Sequence, residues 1–152
     1  MANIAQTVNV LQAVILTEGS RMLLTPTYHV FDLYKHHQDA TLLSSFMETE
    51  EIGAGEYRIP NLSASASIGN DGMVNVTIAN TSAITGFPVE IALEGMQVKA
   101  ATAQILTGKI QDCNEFDNPD KVKPVALQTE LMNGLVRFNM PACGVAMVRL
   151  RS

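Results

Sequence analysis

The spacing of the apolar residues changes near residue 40, and that change fixes most of what this chain can fold into. Ahead of it, Ile4, Val8, Leu11 and Ile15 recur at helical spacing, with Asn3, Gln6, Asn9 and Gln12 on the other faces. The run Ala13-Val14-Ile15-Leu16 is short and β-branched and predicts a buried strand ending near Thr17. Glu18-Gly19-Ser20 breaks the pattern. Thr25-Pro26-Thr27 then predicts a helix start, a hydroxyl cap with proline in the first turn, with Tyr28, Phe31, Leu33 and Tyr34 as its apolar side up to about His37. Helix-strand-helix is the repeating unit of an α/β fold. One unit cannot bury both faces of its own strand, so residues 1–39 are expected to be the last piece of a larger sheet or barrel, and the chain the tail of a longer protein.

From Ala40 the period is two. Leu62, Ala64, Ala66 and Ile68 alternate with Ser63, Ser65 and Ser67, and Gly69-Asn70-Asp71-Gly72 predicts a hairpin turn. Val74, Val76 and Ile78 alternate with Asn75 and Thr77 on the return. Further strands are expected at Leu42–Met47, Val89–Leu93, Val98–Leu106, Val125–Met132, Leu135–Met140 and Val145–Leu150, with Asn133-Gly134 as a two-residue turn. About eight or more antiparallel strands separated by turns make a mainly β fold, a jelly-roll-like β-sandwich over residues 40–152. The junction at Gln38-Asp39-Ala40 is short, so the sandwich is expected to pack against residues 1–39. The long irregular stretch Gly108–Pro124 is of a length that is often functional or packs on a neighbour.

Composition narrows the function classes. A net charge of −5, with ten scattered Lys and Arg, argues against nucleic acid or an anionic membrane as partner. No apolar run approaches the ~20 residues that span a bilayer. Residues 1–16 lack the basic stretch and cleavage site of a secretory leader, and the compartment is left open. Trp is absent, which leaves few flat surfaces for stacking a sugar ring. Cys113 and Cys143 have no metal or redox spacing and are expected to be buried free thiols.

Three acidic groupings invite a chemical reading. His29, Asp32 and His36 share one expected helix at a spacing that can present ligands to a metal, against a plain Asp32–His36 pair on a helix face. Glu48, Glu50 and Glu51 can act as acid and base only if held apart across a substrate; residues 50 and 51 would point to opposite faces of a strand. Asp112, Glu115, Asp117 and Asp120 resemble a calcium loop but lack the EF-hand spacing and its central glycine, and fit a turn built on Asx caps and Asn118-Pro119. The Asn-X-Ser/Thr triplets at Asn61, Asn75 and Asn80 carry no weight. There is no phosphate loop, nucleophile elbow or Cys/His pairing, and neither a metal nor a cofactor is expected.

Four stretches are more specific. The run Met1–Ala13, the run Leu24-Thr25-Pro26-Thr27-Tyr28-His29-Val30-Phe31-Asp32-Leu33-Tyr34, the run Asn114-Glu115-Phe116-Asp117-Asn118-Pro119-Asp120-Lys121-Val122-Lys123-Pro124 and the closing Pro141-Ala142-Cys143-Gly144-Val145 resemble, in that order, the C-terminal region of α-L-arabinofuranosidases of glycoside hydrolase family 51. The resemblance implies a (β/α)8 barrel followed by a C-terminal β-sandwich. It implies a retaining exo-enzyme that releases terminal arabinofuranose from arabinan, arabinoxylan and related oligosaccharides, with two glutamates about 5 Å apart. The family carries both on earlier barrel strands, so no residue of this chain is expected to be catalytic. By motif position, Gln6 is the residue the resemblance places in the sugar subsite; a capping or interface amide is the alternative.

The expected partners are therefore the catalytic barrel of the same polypeptide and, through it, arabinose-containing oligosaccharides, with a homo-oligomer contact also open. The competing reading is a carbohydrate-binding module.

Overall fold

The computed structural model describes residues 4, 6–11 and 13–152. A six-stranded sheet and a three-stranded sheet face each other across the main core, and a helical unit covers the far side of the larger sheet. The six-stranded sheet contains Thr41–Leu42 (β3), Leu62–Ile68 (β6), Val74–Asn80 (β7), Ala100–Leu106 (β9), Val125–Ala126 (β10) and Val145–Arg151 (β13). Their order is β10-β9-β13-β7-β6-β3, with every neighbouring pair antiparallel. The smaller sheet runs β11-β12-β8, from Glu130–Met132 (β11), Leu135–Met140 (β12) and Phe87–Ile91 (β8). Two separate hairpins complete the strands: Ile15–Glu18 (β1) with Arg21–Leu24 (β2), and Glu51–Ala54 (β4) with Tyr57–Pro60 (β5).

Alternation determines which residues meet. On β7, Val74, Val76 and Ile78 enter the core, as do Ala146, Val148 and Leu150 on β13. Val136, Phe138 and Met140 of β12 close it from the other sheet. The opposite face of the large sheet is also covered. Helix α1, Pro26–Tyr34, lays Leu33 against Leu106, Val122 and Met147 in a second, smaller cluster. β7 is therefore shielded on both faces, and its Asn75 and Thr77 are as buried as its valines.

Local chemistry places the turns. Asn133 and Gly134 both have positive φ, as a two-residue turn joining Met132 to Leu135 requires. Thr25 caps α1, its hydroxyl accepting from the Tyr28 amide, with Pro26 first in the helix.

Several expectations are corrected. Residues 6–11 are not helical: they form bends and a turn beside β1, with one parallel bridge between Val8 and Ile15. The remainder of the expected first helix lies partly outside the described residues. The strand expected over 13–17 begins at Ile15 and turns back at Gly19-Ser20 into β2, which the four-residue run Arg21–Leu24 did not announce. Among the described residues, the unit before residue 40 is thus a hairpin, the helix Pro26–Tyr34 and a 3-10 turn at Lys35–His37. The strand expected over Leu42–Met47 ends at Leu42, while Glu51–Ala54, where no strand is expected, is a strand. Val125–Met132 is two short strands in different sheets, where the chain crosses from one layer to the other. Cys113 is exposed and Cys143 half-buried, so neither is the buried thiol expected. Among the described residues no helix is long and apolar enough to cross a membrane.

Candidate functional site

The candidate site is the edge where residues 6–11, the β1–β2 hairpin, the start of α1 and the loop 108–124 meet. Gln6 is exposed and lies outside regular structure. Its neighbour Thr7 is fixed: the Thr7 carbonyl accepts from the amides of Val14 and Ile15, both at 3.1 Å. Asn9 holds the segment from the other side. It adopts φ of +54°, a left-handed conformation that asparagine tolerates. Its amide donates to the Ile15 carbonyl at 3.1 Å, its Nδ2 donates to Thr17 Oγ1 at 2.8 Å, and its Oδ1 accepts from the Thr17 amide at 2.7 Å. The segment therefore lies along β1 like a short extra strand.

Thr25 ties the same place to the helix. Its amide donates to the Val14 carbonyl at 3.0 Å and its hydroxyl to the carbonyls of Ala13 at 2.9 Å and Val14 at 3.2 Å. Asn114 ties it to the sandwich. Its buried Nδ2 donates to the Leu24 carbonyl at 2.8 Å and the Val122 carbonyl at 2.9 Å, while Oδ1 accepts from the Val122 amide at 2.7 Å. All three groups of the side chain are used, which a buried amide requires. Arg21 clamps the exposed flank, its guanidinium 5.0 Å from the Phe116 ring centre and paired with Glu18 and, at 3.5 Å, with Asp117.

The acidic groupings resolve into structural pairs. Asp32 pairs with Lys35 at 2.7 Å, and His36 supplies its carbonyl to Asn75 Nδ2 at 3.1 Å. The histidine that ties the helical unit to the sheet is His37, outside the His29-Asp32-His36 spacing. His37 Nδ1 lies 2.7 Å from Ser67 Oγ, and Nε2 lies 2.9 Å from Thr77 Oγ1, pinning the end of the helical unit across β6 and β7. Burial lowers the pKa of His37, aided by the neighbouring His36, and burial likewise lowers His29 and His36 against the opposing pull of Asp32.

Asp112 accepts from the Lys109 amide and pairs with Lys121 at 3.1 Å, and the two in that order hold its carboxyl below the usual range; Asp120 pairs with Lys123 at 3.0 Å. Glu48, Glu50 and Glu51 are all exposed, and among the described residues no hydrogen bond or ion pair holds their carboxylates at a fixed separation. No group of three or more metal-ligating side chains occurs among the described residues. Asn61, Asn75 and Asn80 are buried, so none is open to a glycan.

A depression on the outer side of the small sheet, lined by Pro88, Glu90, Gln128, Glu130, Arg137 and Asn139, is one surface that bears on the module reading. The Arg137–Glu90 pair at 2.6 Å lies on it, and the ring of Phe138 is turned into the core. It offers no exposed ring for a sugar to stack on.

The model of the α-L-arabinofuranosidase C-terminal domain family matches residues 1–143. The chain is 40% identical over 154 residues to an intracellular exo-α-L-arabinofuranosidase of Bacteroides ovatus, a match covering 99% of this chain and 30% of that protein. Among solved structures, the family 51 arabinofuranosidase from Xanthomonas axonopodis pv. citri matches with a TM-score of 0.93 and 41% identity, over 99% of this chain and 31% of that one. The α-L-arabinofuranosidase from Thermotoga maritima, solved as an arabinose complex, matches with a TM-score of 0.81 and 26% identity, over 95% of this chain and 32% of that one. The chain thus spans about a third of the length of these relatives.

Proposed function

This chain belongs to the α-L-arabinofuranosidase C-terminal domain family, and from that premise we propose that it is the closing, non-catalytic part of a retaining α-L-arabinofuranosidase. The longer polypeptide hydrolyses terminal arabinofuranosyl residues of arabinan, arabinoxylan and arabino-oligosaccharides. Residues 1–39 are the last segment of its barrel and residues 40–152 its β-sandwich. The two catalytic glutamates belong to the preceding barrel, and Gln6 presents its amide to hydroxyls of the arabinosyl unit, with one acceptor and two donors to offer.

The observation that carries this reading is an identity of about 40% over 99% of this chain, a match that spans both the edge unit and the sandwich. The exposure of Gln6 on a segment anchored at Thr7 supports its role. So does the exposure of apolar side chains in this unit, Leu11 at 93% and Phe31 at 42%, in keeping with a unit that packs on the barrel. Assay of an aryl α-L-arabinofuranoside tests the proposal. The longer polypeptide is expected to release arabinose and the isolated 152 residues to release none. Turnover by the isolated chain, or a longer polypeptide inert toward arabinofuranosides, overturns it.

A further inference from the structure

We propose that Asn114 and Thr25 are positioning residues for the sugar site, through which the sandwich sets where Gln6 stands. The inference rests on the reading that Gln6 meets the arabinosyl unit. The bonds form an unbroken series. Asn114, in the loop 108–124, holds the Leu24 carbonyl at the end of β2. The next residue, Thr25, holds the carbonyls of Ala13 and Val14 through its hydroxyl and amide. The amides of Val14 and Ile15 in turn hold the Thr7 carbonyl, one peptide from Gln6.

Packing does little to fix this segment. Val8 is 45% exposed and Leu11 almost wholly so, and residues 6–11 form neither helix nor sheet of their own. Directional bonds therefore carry the placement, and a ligand group displaced by a fraction of an ångström loses its hydrogen bonds to substrate. Asn114 joins this edge to a loop of the sandwich through a buried side chain whose two N–H groups and oxygen are all bonded.

The test is kinetic, in the longer polypeptide, with an aryl α-L-arabinofuranoside. A purely structural defect lowers the folded fraction and hence apparent kcat, and leaves KM unchanged; misplacing a sugar contact raises KM. Gln6→Ala is expected to raise KM about ten-fold, the size of one or two lost hydrogen bonds. Asn114→Ala and Thr25→Val are each expected to raise KM by about three- to ten-fold with kcat within about two-fold, and Thr25→Ser, which keeps the hydroxyl, to stay within about two-fold of wild type. Adding Asn114→Ala to Gln6→Ala is expected to leave KM within about two-fold of Gln6→Ala alone, because the two act through one contact.

A raised KM in Gln6→Ala beside unchanged KM in Asn114→Ala and Thr25→Val overturns the positioning role and leaves the Gln6 reading standing. Fully multiplicative effects in the double variant do the same. An unchanged KM in Gln6→Ala overturns both. Should Asn114→Ala not accumulate as folded protein, the Thr25→Val and Thr25→Ser pair decides by the same readout.

Discussion

The two faces of the six-stranded sheet are covered by different physics. The inner face is closed by apolar area: Val74, Ile78, Ala146, Val148 and Leu150 of the large sheet meet Val136 and Met140 of the small one, all essentially without solvent contact. The outer face is closed by a smaller apolar cluster, Leu33 on Leu106, Val122 and Met147, and by a set of directional bonds. Ser67 and Thr77 hold His37, Asn75 donates to the His36 carbonyl at 3.1 Å and accepts from Arg149 Nε at 3.1 Å, and Arg149 pairs with Asp71 at 2.6 Å. Burial of area is non-directional and stabilises whatever lies against it. Hydrogen bonds add little net stability but fix position, since an unmade bond in a buried place is costly. The inner face therefore makes the domain stable, and the outer face determines where the helical unit sits.

The contrast is broken most strongly from the inside. Leu150→Ala empties a fully buried site and is expected to cost about 3 kcal/mol in chemical denaturation. An effect below about 1 kcal/mol would mean that the inner core is loosely packed. On the outer face, Asn75→Ala strands the His36 carbonyl and one contact of Arg149, at an expected cost of about 1–2 kcal/mol by the same measurement. Equal costs at the two positions would erase the distinction between the faces.

The smallest effect is set by pH. The three histidines have pKa values lowered from the ordinary 6.5, His37 by burial and then by His36. A lowered pKa means that the unfolded chain takes up the proton first. Stability is then complete above the ordinary histidine value and is lost as pH falls toward the folded-state value. Thermal unfolding is expected to move to lower temperature from about pH 7 to about pH 5, ahead of the carboxylates, and less steeply in His37→Asn. A variant with the wild-type slope would show that His37 does not carry the dependence.

The inner face was legible in the sequence because each strand there shows one apolar side. The alternation of Leu62–Ile68 and Val74–Asn80 and the Asn133-Gly134 turn led directly to β6, β7 and the β11–β12 hairpin. The helix cap at Thr25-Pro26 was equally plain. The edge unit misled because Ile4, Val8, Leu11 and Ile15 satisfy helical spacing, whereas the left-handed Asn9 and the tight Gly19-Ser20 turn fold the chain into an anchored strand edge. Alternation could not foretell that Ser67, Asn75 and Thr77, polar by pattern, would be buried under a neighbouring unit. Nor could spacing single out Asn114, whose three bonds reach Leu24 and Val122 across an irregular loop. The β4–β5 hairpin was hidden by its acidic and glycine content: Gly53 lets the strands close, since a side chain there would meet the Tyr57 carbonyl.

Backbone hydrogen exchange, compared between the isolated 152 residues and the longer polypeptide, tests most directly whether the edge unit is a seam completed by the barrel. In the isolated chain, amides of β7 and β13 are expected to exchange only with global unfolding, and those of Val14, Ile15 and Thr25 at least about 100-fold faster, slowing to the rate of the core once the rest of the polypeptide is present. Core-like protection of Val14, Ile15 and Thr25 in the isolated chain would contradict that seam.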